Sequence, residues 1–349
     1  MRLGLSLHLL KTLGERWEAA YDELVWSARY ADAQGFMNIW MVEHHFMETS
    51  TAAPGMVLAH LAAITHRVRL GYSVALLPFH HPLRLAEEML LLDRLSHGRA
   101  DLGVGRGHTP LEVATLCPAP EQAVALFNDA VRIIQLAFQG EPFRFQGEYW
   151  SFPEVQLFPP PVQRHPILWM PITSPRSIAF AAEHGLAPLL GNRPLEELQA
   201  TLAEYTRALQ AAGHAEERAL QLLDRAAVTR VCIVADTARE AEAIARYELA
   251  QYHHNFVLNG VPVGDPRFPR YHQEWPPLED PLEMLLYRRA LFGTADEVID
   301  QLRELERLGI RQVTVGLGSY ATPAAERRRR LIRLSEQVLP RVQHVRLAS

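Results

Sequence analysis

Glu43, His44 and His45 stand together in this sequence and have side chains suited to acid–base chemistry. An imidazole titrates near neutral pH, so either histidine can act as a general acid or base. Adjacent residues of a strand point to opposite faces, so His44 and His45 are not expected to share one metal ion, and no metal site is predicted. Each histidine taken alone is equally well interpreted as a packed or surface residue.

Two other positions have the features of an anion-binding site. Arg106 lies between two glycines directly after an apolar run, so a phosphate can approach both its guanidinium and the backbone. Ser174 followed by Pro175 is typical of a helix N-cap, whose free N–H groups attract phosphate. A surface ion pair for Arg106 and plain helix capping for Ser174 are the simpler alternatives. Together, the two positions predict a cofactor that bears a phosphate.

Short apolar runs alternate with amphipathic runs along the chain, which predicts the elements that position these residues. Eight strands are predicted, at residues 3–7, 37–42, 68–77, 100–105, 167–172, 186–190, 227–235 and 312–317. A capping box at Thr294 and Glu297 opens the last predicted helix. A TIM (β/α)8 barrel of the α/β class explains eight alternations better than a doubly wound sheet, because no GxGxxG motif follows a strand. Barrel enzymes have their sites at the C-terminal ends of the strands, where the positions above fall.

Two predicted insertions interrupt this alternation. Residues 141–155 alternate aromatic and polar side chains around a glycine, which predicts a β-hairpin. Residues 252–280 contain five prolines and little periodicity, which predicts a functional lid. No linker separates these segments, so residues 1–349 are expected to form a single domain.

Composition excludes several classes of protein. The 349 residues are 48% hydrophobic and 21% charged, with a net charge of −5, as expected of a globular chain. Acidic and basic residues are interleaved, which argues against a nucleic-acid partner or a membrane surface. Cys117 and Cys232 have no disulfide or metal-ligand spacing, which is consistent with a reducing cytoplasm.

Three motifs connect the chain to a known family. They are MVEHHF at 41–46, LLPFHHPLRLAEEMLLLDRLSHGRADLGVGRG at 76–107 and GTADEVIDQLRELERLGI at 293–310. With these, nearly the whole chain resembles the bacterial luciferase-like, flavin-dependent monooxygenases. The resemblance implies a TIM barrel that binds reduced FMN and uses dioxygen to oxygenate a small organic substrate. It also implies a separate NAD(P)H:flavin reductase as a partner, and a homodimer is expected.

The resemblance further assigns roles to individual residues. The family's cofactor-binding positions correspond here to Glu43, Ser73, Val74, Arg106, Thr173, Ser174 and Ser177. Its acid–base histidine corresponds to His44, and its non-prolyl cis peptide would fall between Ser73 and Val74. Luciferase has a reactive cysteine where this chain has Gly105, so light emission is not expected.

Two alternatives stay open. A deazaflavin-dependent oxidoreductase of the same fold would transfer hydride without oxygen, and its longer anionic cofactor would need additional basic residues. A flavin-binding protein without turnover would arise by loss of the lid or of His44, and the sequence contains both.

Overall fold

A computed structural model of the chain describes residues 1–8, 16–46, 51–163, 166–191, 193–258, 286, 290–319 and 321–343, with the backbone alone for 252–258. The strands are β1 (Arg2–Leu7), β2 (Asn38–Met41), β3 (Arg69–Leu76), β4 (Ala100–Gly105), β5 (Phe143–Gln146), β6 (Ser151–Val155), β7 (Trp169–Pro171), β8 (Ala187–Leu190), β9 (Ala227–Val234), β10 (Ala290–Gly293) and β11 (Gln312–Gly316). The helices are α1 (Trp17–Gln34), α2 (Pro54–Ile64), α3 (Pro82–Leu95), α4 (Pro110–Leu116), α5 (Ala123–Ala137), α6 (Pro175–Glu183), α7 (Leu195–Ala211), α8 (Glu216–Asp224), α9 (Ala238–Leu258), α10 (Ala295–Arg307), α11 (Ala324–Gln337) and α12 (Leu339–Val342).

Eight parallel strands close into a barrel. Its neighbours run β1, β2, β3, β4, β7, β8, β9 and β11, and β11 pairs back with β1. Trp40 and Trp169 meet edge to face inside the core, with ring centroids 5.2 Å apart. The predicted TIM barrel is therefore confirmed. Because all eight barrel strands are parallel, their C-terminal ends lie at one end of the barrel, which we call the C-terminal rim.

The structure also contains elements that the sequence did not predict. Strand β10 pairs with the C-terminal part of β9, where Ala290 lies opposite Val231 and Gly293 opposite Val234. Strand β10 has four residues and ends directly before the capping box that opens α10. The helices α4, α8, α11 and α12 were likewise not predicted. The capping box that opens α10 is confirmed, since Thr294 and Glu297 each bind the other's backbone N–H.

The hairpin prediction is confirmed by the antiparallel pair β5 and β6. Asp129 of α5 holds the turn of the hairpin, since its carboxylate accepts from the backbone N–H groups of Tyr149 and Trp150 at 2.8 and 2.9 Å. The irregularity predicted for the lid segment is wrong for residues 252–258, which continue α9. Residues 259–280 of the predicted lid lie outside the described residues. In the described part of the chain, no helix is long and apolar enough to cross a bilayer.

Strands β3 and β4 approach each other closely at the rim. The peptide bond between Ser73 and Val74 is cis, at the position that the family resemblance implies. Val74 packs over two glycines of β4: a Cβ on Gly105 would lie 2.5 Å from Val74 Cγ2, and one on Gly103 would lie 3.1 Å from Val74 Cγ1. Glycine at position 105 therefore provides the space that the Val74 side chain fills.

This packing predicts that positions 74 and 105 are energetically coupled. We expect Gly105→Ala to lower the free energy of unfolding by about 1–3 kcal/mol, because the added methyl group overlaps the Val74 side chain. Adding Val74→Ala should recover part of that loss, giving a coupling free energy of about 0.5–3 kcal/mol in urea denaturation of the four proteins. Strictly additive effects of the two substitutions would show that Val74 does not limit position 105.

Candidate active site

Glu43 anchors the rim between β2 and β3. Its carboxylate is 2% exposed, and Oε1 accepts hydrogen bonds from His45 Nε2 at 3.0 Å and His80 Nε2 at 2.7 Å. Its other oxygen accepts from the backbone N–H of Leu76 at 2.8 Å. Burial alone would raise the pKa of Glu43, but the hydrogen bond and charge of His80, with the other donors, hold it below its ordinary value. Glu43 is thus an ionised acceptor that fixes the end of β3.

His44 pairs with a different carboxylate. Its Nδ1 lies 3.2 Å from Glu112 Oε1, and the same oxygen accepts from the backbone N–H of His45 at 2.7 Å. Glu112 is 1% exposed and belongs to α4. Burial would raise the pKa of Glu112, but the hydrogen bonds from His44 and from the His45 amide hold it below its ordinary value. As strand alternation predicts, His44 and His45 point to separate partners.

Two further histidines lie near His44. The rings of His44 and His108 are nearly perpendicular, with centroids 6.1 Å apart. His8, which follows β1, has its Nε2 3.1 Å from Ser6 Oγ. Loss of hydration and the proximity of His44 lower the pKa of His8 and of His108 to about 4 each. Both rings are therefore neutral near pH 7, although His8 is only half-buried and His108 is exposed.

Arg106 lies on a tight turn after β4. Gly107 has a φ of +76°, in the left-handed region that favours glycine. A Cβ at position 107 would also come within 2.8 Å of the Phe79 ring. The ring of Phe79 and the conformation of Gly107 thus fix the backbone on which the half-buried Arg106 side chain is mounted.

The capping interpretation of Ser174 is confirmed. Ser177 Oγ accepts from the backbone N–H groups of Thr173 and Ser174 at 2.9 Å each, and Ser174 Oγ accepts from the Ser177 N–H at 3.3 Å. Pro175 occupies the first position of the helix. The three hydroxyl residues at 173, 174 and 177 therefore build and fix the N-terminus of α6.

Arg193 is a residue that sequence reasoning missed. Its guanidinium donates to the carbonyl of Thr173 at 2.6 Å, and its own carbonyl accepts from buried Arg230 at 3.0 Å. In the barrel, β7 lies between β4 and β8, so Arg106 and Arg193 follow the strands on either side of the one that leads to Ser174. The position of Arg193 shortly after a predicted strand end is the signal that could have found it.

The predicted site residues follow four neighbouring strands. His44 follows β2, Ser73 and Val74 lie in β3, Arg106 follows β4 and Ser174 follows β7, and these four strands are consecutive in the barrel. Glu112 is connected to these residues through its hydrogen bond with His44. The sequence signals for Glu112 were a proline at the start of α4 and an acid in the first turn of that helix. Among the described residues, no group of three or more His, Cys, Asp or Glu is arranged to hold a metal ion.

Known proteins share both this sequence and this fold. A family model described as luciferase-like monooxygenase matches residues 2–312. The chain is 28% identical over 330 residues to the oxygenase component of the flavin-dependent trigonelline monooxygenase of Acinetobacter baylyi, covering 88% of this chain and 87% of that protein.

Two solved structures show the same fold at lower identity. The oxygenating constituent of 3,6-diketocamphane monooxygenase from Pseudomonas putida, in complex with FMN, has a TM-score of 0.78 at 22% identity and covers 98% of this chain and 99% of its own. The coenzyme F420 dependent tetrahydromethanopterin reductase of Methanopyrus kandleri has a TM-score of 0.72 at 18% identity, with coverage of 98% and 99%. With the family model matching nearly the whole length, this chain belongs to the luciferase-like monooxygenase family of oxidoreductases.

Proposed function

We propose that this chain is the oxygenase component of a two-component, FMN-dependent monooxygenase. It would receive reduced FMN from a separate NAD(P)H:flavin reductase and use dioxygen to oxygenate a small organic substrate, as a single-domain, homodimeric enzyme of the cytoplasm. The observation that carries the proposal is that His44, with its carboxylate partner Glu112, lies at the same rim as the Arg106 turn and the capped start of α6.

The chemistry of these side chains fits FMN. Two guanidiniums, Arg106 and Arg193, follow the strands beside a helix N-terminus, and this combination suits a dianionic phosphate. Thr173, Ser174 and Ser177 would complete the phosphate contacts. Near the end of β4, Gly103 and Gly105 leave room for the Val74 side chain to cover the strand. The flavin ring would rest on this apolar side chain, beside Ser73. These are the residues that would hold the cofactor.

Bound reduced flavin would supply the electrons that activate dioxygen, and the residues of this chain would provide position and proton transfer. Arg106 and the start of α6 would hold the phosphate and so fix the cofactor at the rim. His44 would take up or give a proton at Nε2 while Nδ1 faces Glu112. The neutral rings of His8 and His108 add no positive charge beside it near pH 7.

The relatives support this proposal in two ways. The Acinetobacter relative is flavin-dependent and is an oxygenase component, which favours a flavin cofactor and a separate reductase. The deazaflavin alternative has support from the likeness to the F420 dependent reductase, but at 18% identity that likeness concerns the fold alone. A direct comparison of cofactor affinities separates the two.

We expect reduced FMN to bind the wild-type protein, and Arg106→Gln to weaken that binding by about 10- to 150-fold, because a lost charge-assisted hydrogen bond costs about 1.5–3 kcal/mol. Anaerobic titration followed by fluorescence measures it. Riboflavin, which lacks the phosphate, should bind both proteins alike. The matched control is Arg144→Gln, which removes an exposed arginine of β5 and should leave affinity unchanged. Unaltered FMN affinity in Arg106→Gln would refute the phosphate assignment, and tighter binding of a reduced deazaflavin would favour the hydride-transfer alternative.

We also expect His44→Ala to slow oxygenation by about 10²- to 10⁴-fold, the usual contribution of a general acid or base. Stability should fall by no more than about 1–3 kcal/mol, the usual effect of removing one donor from a buried acceptor. The His44 side chain is 25% exposed, so its truncation leaves no core cavity, and Glu112 keeps the His45 N–H as a donor. Incorporation of label from ¹⁸O₂ into product in a single turnover, with thermal unfolding alongside, measures both. His60→Ala, a change on the exposed face of α2, is the control.

Two results would count against this role of His44. A large loss of stability with normal oxygenation would make it a structural residue. Normal values of both would direct the search to His8 and His45. Wild-type protein that binds reduced FMN without oxygenating any compound of a broad panel would favour the flavin-binding alternative.

A further inference from the structure

Glu112 is a buried carboxylate that binds two residues of the candidate site and also accepts a hydrogen bond from the hydroxyl of Thr109, the residue before α4. One oxygen accepts from both His44 Nδ1 and the backbone N–H of His45, at 3.2 and 2.7 Å. With 1% exposure it has almost no access to water, so its charge depends on these donors. Its partner His44 lies 68 residues away in the chain, so the pair is a tertiary contact and not a local cap.

The ionisation of Glu112 decides which ring nitrogen of His44 carries hydrogen. The hydrogen bonds outweigh burial and keep the pKa of Glu112 below its ordinary value, so near pH 7 the carboxylate only accepts. The nitrogen that faces it must therefore be a donor. In a neutral imidazole one nitrogen is a donor and the other an acceptor, so hydrogen at Nδ1 leaves a lone pair at Nε2.

We propose that Glu112 is a positioning residue that fixes His44 as the Nδ1–H tautomer and keeps Nε2 as its proton acceptor. When a proton arrives at Nε2, the Nδ1 proton stays in place and the imidazolium remains paired with the carboxylate. When the proton leaves Nε2, the ring returns to the same tautomer. The proposal rests on the proposed function for the donor of that proton, whereas the tautomer itself belongs to the protein without cofactor.

The second carboxylate of the rim provides an internal comparison. Glu43 binds His45 and His80 but not His44, and its other oxygen holds the backbone of Leu76. Both carboxylates are buried and both bind imidazoles, so removal of Glu43 is a matched control for removal of Glu112. Only removal of Glu112 should change the tautomer of His44.

The experiment is long-range ¹H–¹⁵N correlation spectroscopy of histidine-labelled, cofactor-free protein at about pH 8.5, where ordinary imidazoles are neutral. The His44 signals are assigned by their loss in His44→Gln. We expect Nδ1–H in the wild-type protein. Glu112→Leu should shift His44 toward Nε2–H, the form that a free histidine side chain prefers in water. Glu112→Gln should retain Nδ1–H, because the amide oxygen can still accept.

The control is Glu43→Leu, which should move the signals of His45 and His80 and leave the tautomer of His44 unchanged. Nε2–H as the main form in the wild-type protein would overturn the proposal, and so would an unchanged tautomer in Glu112→Leu. An equal shift in Glu43→Leu would also overturn it, since the effect would then belong to the whole rim. Should either leucine variant not fold, the alanine variant at that position takes its place with the same expected outcomes. A failed FMN titration would remove the proposed function and leave this result standing.

Discussion

A carboxylate removed from water must be surrounded by donors, and two such carboxylates organise the rim of this barrel. Glu43 and Glu112 are each at most 2% exposed, and between them they bind His44, His45 and His80. Each carboxylate also accepts from a backbone N–H, of Leu76 and of His45 respectively. The charges therefore fix the ends of β2 and β3 and the orientation of the imidazoles in a single network.

The connection after β4 combines both kinds of chemistry that the proposed function requires. It begins at the Arg106 turn, which Gly107 and Phe79 shape, and continues into α4, which contains Glu112. One short segment thus presents a cation where a phosphate is expected and a carboxylate to the proposed base.

Local signals were sufficient for the barrel and insufficient for the full site. All eight barrel strands begin and end within two residues of their predicted bounds, because buried parallel strands read as continuous apolar runs. The cap at Ser174 was also readable, since capping depends on residues three apart. Glu112 could not be identified from the sequence, because α4 is only seven residues long and its partner His44 is distant in the chain. Arg193 was not identified for a similar reason, because its contact with Thr173 forms only when β7 and β8 pair.

The proposed function requires the rim formed by β2, β3, β4 and β7 to be one cofactor site. A crystal structure of the protein grown with FMN would decide this. We expect phosphate density between Arg106 and the first turn of α6, with the flavin ring against Ser73 and Val74 and within reach of His44. Flavin density elsewhere on the barrel, or a phosphate that contacts neither Arg106 nor the start of α6, would refute the assignment.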